Sequence, residues 1–234
     1  MVSRPAARMN GALTVVIPTL NEAPALPALL ALLARSALVG AVVISDGGST
    51  DGTVAIAASH GAIVVAGGAG RGAQVSRGIA AAPSAWLLLL HADSLPQPGW
   101  DDAMSRCIAS NRSGQAWYGR LRLASADPRA RLIEYGAALR CALLRLPYGD
   151  QALLIHRDTL AAIGGMPTLP LMEDVALARR LGRAGLAPCD MIVMTDAAAY
   201  ARDGWLRRSL RNLARLARFL AGADAVLLAA EYRR

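Results

Sequence analysis

The sequence predicts an α/β fold in which a mostly parallel sheet is flanked by helices on both faces. Three observations lead there. From Leu13 to Asp93, short apolar runs alternate with alanine- and leucine-rich stretches of helical spacing. That alternation is expected where crossover helices connect parallel strands. The apolar runs close on polar clusters, and open α/β sheets bind ligands at the C-terminal ends of their strands. The chain has 234 residues, 54% of them hydrophobic, which is enough for one good core, and a single domain is the simplest count.

Leu13-Thr14-Val15-Val16-Ile17, closed by Pro18, reads as a buried strand. Residues 24–35 carry leucines at helical spacing. Residues 41–45 form a second strand ending at Asp46-Gly47-Gly48. Cap-forming side chains from Ser49 to Thr53 then make a turn and start a helix. Residues 62–66 are a third strand, 67–72 a glycine-rich loop, and a helix follows to about residue 82. Residues 85–90 are a fourth strand, ending at His91-Ala92-Asp93. The second half is less regular. It reads as a strand at 117–124, a helix at 129–145, a strand at 151–155, a helix at 173–184 with two carboxylates in its first turn, and a basic helix at 205–220. The expected organisation is a tail at 1–11, one α/β domain at 12–203, and a basic amphipathic helix at 204–234 packed on the domain or extending from it.

The formal charge is +8, and all 25 basic residues are arginine. Arginine's planar fork suits phosphate, and a positive surface suits anionic partners; a GC-rich genome gives the same composition without any functional cause. Aromatics are 4%, too few for a stacking platform, and no nucleic-acid motif occurs, so no nucleic-acid partner is expected. Cys107, Cys141 and Cys189 are odd in number and widely spaced. Free thiols in a reducing cytoplasm are expected, not a disulfide framework or a cysteine metal site. No run reads as a signal peptide or a membrane span, so the expected location is cytoplasmic. Leu206, Leu210, Leu213, Ala217 and Leu220 make an apolar stripe beside Arg207, Arg211, Arg215 and Arg218. Such a helix either packs on the domain with a solvated basic face or contacts the inner membrane face peripherally.

Four polar clusters fall at strand ends: Pro18-Thr19-Leu20-Asn21-Glu22, Asp46-Gly47-Gly48-Ser49-Thr50-Asp51, Gly70-Arg71-Gly72 and His91-Ala92-Asp93-Ser94. Singly each has a plain explanation. Asp46-Gly47 is a turn signal, Asp51 caps a helix, and Glu173 and Asp174 are favourable charges at a helix N-terminus. The Gly67–Gly72 stretch lacks G-x-G-x-x-G spacing and follows a third strand, so it is no dinucleotide loop. His60 and His156 read as structural.

In series, over roughly residues 13–185, the clusters resemble the donor site of family 2 glycosyltransferases. The resemblance implies a GT-A-type nucleotide-diphospho-sugar transferase fold. It also implies sugar transfer from a nucleotide-sugar donor, UDP favoured, to an unidentified small-molecule or lipid acceptor. The implied donor site is Pro18, Thr19, Asn21, Glu22, Asp46, Gly47, Arg71 and Asp93. Asp46 would accept from the uracil imide edge, the following glycines would let backbone approach, and Arg71 would neutralise diphosphate or contact the base. Asp93 matches the metal-binding carboxylate of the family's D-x-D element and would hold Mg or Mn. His91 replaces the first aspartate. It is either a second ligand, which favours manganese, or a pocket wall. Gly149-Asp150-Gln151 and Glu173 resemble the acceptor segment. Asp174, second in the E-D element, would be the general base of a single inverting displacement. Leu90-His91-Ala92-Asp93-Ser94 is similar to a short L-H-A-D-[ST] subgroup associated with arsenosugar and radical-enzyme gene clusters.

Two other functions fit parts of the sequence. A sugar-phosphate nucleotidyltransferase would carry a Gly-rich, Arg-containing loop where Pro18 to Glu22 stands. A non-catalytic protein of anionic membranes fits the charge but leaves Asp46, Asp93 and Asp174 in one predicted cleft without a purpose.

Overall fold

The computed structural model describes residues 11–110, 112 and 114–232, so the expected tail lies outside the described residues except for Gly11. Four parallel strands make the first half: β1 (Leu13–Thr19), β2 (Val39–Asp46), β3 (Ile63–Ala66) and β4 (Trp86–Leu89). Helices α1 (Leu26–Leu33), α2 (Thr53–Ser59) and α3 (Arg71–Ala81) connect them. Successive strand side chains point to opposite faces, and β1 is apolar on both. Val15 and Ile17 join a core cluster with the α1 leucines, while Val16 joins another with Val75 and Ile79 of α3. α3 comes close because Gly78 has no side chain: a Cβ there would stand 2.5 Å from Val16 Cγ1.

The second half adds β5 (Ser94–Pro96), β6 (Ala116–Leu123), β7 (Leu153–His156) and β8 (Leu186–Thr195). The sheet order is β3-β2-β1-β4-β7-β6-β8-β5. Pairings β4–β7, β6–β7 and β5–β8 are antiparallel and the other four are parallel. The sheet is therefore mixed, and the expected parallel arrangement is its first half. Both edge strands are short, four residues in β3 and three in β5.

The remaining helices are α4 (Trp100–Ser110), α5 (Pro128–Leu144), α6 (Arg157–Ala162), α7 (Glu173–Leu181), α8 (Ala198–Asp203), α9 (Trp205–Leu220) and α10 (Ala225–Tyr232). Several boundaries differ from expectation for local reasons. α7 stops at Leu181, not residue 184, because Gly182 turns to φ +68°. β7 starts two residues late because Gly149–Gln151 close a single 3-10 turn and Ala152 sits at φ +54°. β5, β8, α4, α6 and α8 lie beyond the elements expected from sequence, and the helix expected over 204–234 breaks after Leu220 into α9 and α10. β8 hides because Pro188 and Asp190 interrupt its apolar pattern and its register with β6 shifts beyond Tyr118.

α9 packs on the domain through Trp205, which stacks on Tyr200 (centroids 5.6 Å apart), and through buried Leu216. Its leucine stripe stays outside. No helix among the described residues is long and apolar enough to cross a membrane. The three cysteines are free.

Candidate active site

Thr19 and Asp46 end neighbouring strands in register. The Asp46 carboxylate is buried and already fully engaged. One oxygen accepts from the Thr19 hydroxyl (3.2 Å) and the Ser49 hydroxyl (2.5 Å), the other from the Gly48 and Ser49 amides (2.8 Å each). A carboxylate offers about four acceptor positions, and all four are taken by the chain. Burial works against its charge, but the Ser49 bonds and those from Gly48 and Thr19 hold its pKa below the ordinary value. Asp46, expected to accept from a base edge, uses these bonds to hold the Gly48–Ser49 turn.

Asn21 sits at φ +58°, where its side-chain oxygen accepts from the Thr50 amide (2.9 Å). The Glu22 amide donates to Thr53 (2.8 Å). Asp51 accepts from the Ala23 and Thr53 amides, so it ties this loop to the start of α2. Gln74, which the sequence did not flag, locks the arrangement. Its buried amide donates to Thr19 O (2.8 Å) and Ser45 O (3.1 Å) and accepts from the Gly70 amide (3.1 Å). Gly47 passes so close that a Cβ there would lie 2.8 Å from Gln74 Nε2.

Beside this loop lies a cleft with about 900 Å³ of empty space, lined by Arg71, His91, Asp93, Gly149, Asp150 and Asp174. Arg71 opens α3, and its Nε is 3.6 Å from Glu173 Oε1. Half-buried His91 turns its Nε2 edge onto Gly149, where a Cβ would stand 2.3 Å from that nitrogen. Burial, then Arg71, hold the imidazole neutral, well below its ordinary pKa. Asp93 accepts from the Ser94 hydroxyl (3.1 Å) and is otherwise exposed to the cleft. Asp174 accepts from the Gly149 amide (2.8 Å) and from the Val175 amide (2.7 Å), which joins α7 to the 149–151 turn.

Carboxylates slightly outnumber arginines in the cleft: Asp93, Asp150, Asp174 and Asp196 against Arg71, Arg208 and Arg215. Burial, then Asp93 and Asp51, push Glu22 up to about 7. Burial raises Asp93 as well. Asp150 is pushed up to about 6 by burial, with Asp174 and Asp93 adding to it against Arg140, and its Oδ1 is buried without a hydrogen-bond partner. An excess of carboxylate with an unpaired buried oxygen is a setting that a divalent cation relieves. Among the described residues no three His, Cys, Asp or Glu side chains form a metal cage. A cation there would draw most of its ligands from phosphate and water, as magnesium commonly does.

Two expected acceptor residues do not line this cleft. Gln151 is buried and consumed by structure: its oxygen accepts from Arg140 (2.8 Å) and the Tyr148 amide (3.2 Å), and its nitrogen donates to Gly119 O (3.1 Å). Glu173 is buried towards an apolar cavity shared with Val75, Leu89 and Leu177. The structure instead adds Tyr148, Thr195, Asp196, Tyr200, Arg208 and Arg215 to the cleft. Arg215 belongs to the basic face expected of the helix, whereas Arg208 was not singled out, and both turn into the cleft.

A mixed α/β sheet with a polar cleft beyond its strand ends has its ligand site where open α/β folds place one. The sequence model of glycosyl transferase family 2 matches residues 14–143, more than half the chain, and the protein belongs to that family. Uncharacterized glycosyltransferases of Mycobacterium tuberculosis and Mycobacterium bovis are 42% identical over 89 residues, which is 38% of this chain and 39% of theirs. The match therefore spans about two fifths of those relatives. The solved glucosyl-3-phosphoglycerate synthase from Mycobacterium tuberculosis, in complex with Mn2+, UDP and glucosyl-3-phosphoglycerate, has a TM-score of 0.56 at 20% identity, covering 80% of this chain and 70% of that one. Mannosyl-3-phosphoglycerate synthase from Rubrobacter xylanophilus has a TM-score of 0.56 at 19% identity, covering 87% and 75%. At such identities the likeness is one of fold, the GT-A-type arrangement.

Proposed function

We propose that the protein transfers a sugar from a nucleotide-sugar donor, favouring UDP, to a small-molecule or lipid acceptor. The observation that carries this reading is the convergence of Arg71, Asp93 and Asp174 on one cleft beside the loop built around Asp46. The family and the fold neighbours solved with UDP and Mn2+ or Mg2+ support it. The nucleoside would lie against Pro18, Thr19, Asn21, Glu22 and the Asp46–Gly47 loop, with Arg71 towards the diphosphate. Asp93, with His91 beside it, would hold magnesium or manganese together with diphosphate oxygens. When bound, the cation stabilises the charge that develops on the leaving nucleoside diphosphate.

Asp174 is the base in this scheme. The Gly149 amide fixes its carboxylate, and it takes the acceptor hydroxyl proton as the acceptor oxygen bonds to the anomeric carbon. The bond to the diphosphate breaks with its electron pair, and a single displacement inverts configuration. Asp150 and Gly149 would border the acceptor. The Leu90–Ser94 element further aligns the chain with the L-H-A-D-[ST] subgroup. Peripheral contact of the C-terminal helix with a membrane would bring a lipid acceptor within reach.

Calorimetric titration with UDP tests the proposal, with and without Mn2+, on the wild type and on Asp93→Ala. Metal-dependent binding that disappears in the variant is expected. No binding of UDP, GDP or dTDP with either metal would overturn it.

A further inference from the structure

Exposed large apolar side chains are unevenly spread over this molecule. Fourteen stand out among the described residues, and all but Leu20 and Val54 lie on α5, α9 and α10. These helices pack in series, α5 against α9 and α9 against α10. On α9, Leu206, Leu210 and Leu213 are 60–66% exposed, and their spacing makes one stripe. On α5, Leu132, Tyr135, Leu139 and Leu143 make another. Both helices bury a different face: Trp205 and Leu216 on α9, and Ala130, Ala137 and Cys141 on α5. Each is thus apolar inward for the core and apolar again outward, with nothing among the described residues covering the outer face.

The charge beside these stripes indicates what covers them. α9 carries five arginines and no acidic residue; exposed Arg207 flanks its leucines, while Arg218 pairs with Glu231 of α10 and Arg208 and Arg211 pair with Asp203. A second copy of the chain meeting this face by two-fold symmetry would oppose a helix of net positive charge to itself. An anionic bilayer accepts both features, taking leucines into the headgroup boundary and arginines against phosphates. The same helix turns Arg208, Asn212 and Arg215 into the cleft, and Tyr232 of α10 joins them.

Resting on the transferase reading, we propose that the outer faces of α5, α9 and α10 dock on an anionic membrane surface and present the cleft to an amphiphilic acceptor held in that membrane. One bound side of α9 then faces lipid while another contributes to the acceptor cleft. Free diffusion of the acceptor through water is not required.

The test is flotation of the full chain with vesicles of phosphatidylglycerol and phosphatidylcholine, against phosphatidylcholine alone, at low salt. UDP binding is measured in parallel. The wild type is expected to float with the anionic vesicles only. Leu206→Gln with Leu210→Gln should lower vesicle binding about tenfold or more, because two large apolar side chains no longer bury, and should leave UDP binding unchanged. Leu139→Gln, on the neighbouring helix, should weaken flotation independently. Absence of flotation by a UDP-binding wild type overturns the docking surface alone. A dimer in solution that Leu210→Gln dissociates also overturns it, by giving this face to a second copy. Loss of UDP binding in the wild type would strike the transferase reading, whatever the vesicles show.

Discussion

Glu173 and Asp174 are adjacent in the chain and opposite in surroundings. Asp174 faces the cleft with its oxygens oriented by two backbone amides, and in the proposed scheme it takes the acceptor proton. Asp174→Asn should lower turnover by about 10²–10⁴-fold while leaving UDP–Mn2+ binding intact, measured as UDP released. Glu173 is shut in beside apolar side chains, and burial, then Asp174, raise its pKa from 4.5 to about 8 despite Arg71. The folded chain keeps a proton that the unfolded chain has released, so this group removes stability as pH climbs from 4.5 towards 8 and has no effect below that window. Glu173→Gln should therefore leave Tm unchanged near pH 4 and raise it at pH 8. For a chain of this size each kcal/mol is worth about 2–4 °C, and scanning calorimetry at the two pH values reads the difference. At this scale the sequence identified the polar residues of the site but not the division of labour among them. Asp46 and Gln151 carry motif positions yet spend their hydrogen bonds on Ser49, Thr19, Arg140 and Gly119. Those partners are mostly distant in the chain, so no local pattern shows them.

Among the elements, α3 illustrates how packing can reverse a propensity. Alanine favours a helix over glycine by about 1 kcal/mol. At Gly78 the added methyl would meet Val16 Cγ1 at 2.5 Å, and overpacking costs about 1–3 kcal/mol. Gly78→Ala should then be destabilising by up to about 2 kcal/mol, measured as a lower urea midpoint with unchanged m-value. The same variant displaces the sheet end that Gln74 organises, so UDP affinity should fall with it. Helices with a clear stripe were legible: α9 spans the residues its leucine spacing marked, and α5 begins where Asp127 caps it through the Arg129 amide (2.9 Å). α4 was missed although Pro98-Gly99 and the acidic pair Asp101-Asp102 announce a helix start. β8 was missed because its pairing with β6 depends on contacts far away in sequence, and Pro188 breaks the pattern that would have revealed it.

At the scale of the whole molecule, ligand and fold should stabilise each other. A donor nucleotide that binds only the folded chain adds about 2.7 kcal/mol at a hundred times its Kd. UDP with Mn2+ is thus expected to raise Tm by several degrees, and Asp93→Ala to abolish the rise in a thermal-shift assay. The parallel half of the sheet was legible because β1, β2 and β3 are apolar runs each followed by its own helix and β4 is an apolar run closed by a polar cluster. The second half was not, because in the order β4-β7-β6-β8 the pairs β4–β7 and β6–β8 skip intervening strands of the chain. That order also decides how the protein behaves in crowded solution. The sheet terminates in β3 and β5, which pair only Val43–Asp46 of β2 and Val193–Thr195 of β8, and the rest of β8 carries Pro188 and Asp190. Such edges offer a stray β-segment few unpaired amides to copy. Molecules forced together would meet through their leucine-bearing helices, forming clusters that detergent disperses and not fibrils that grow by templating.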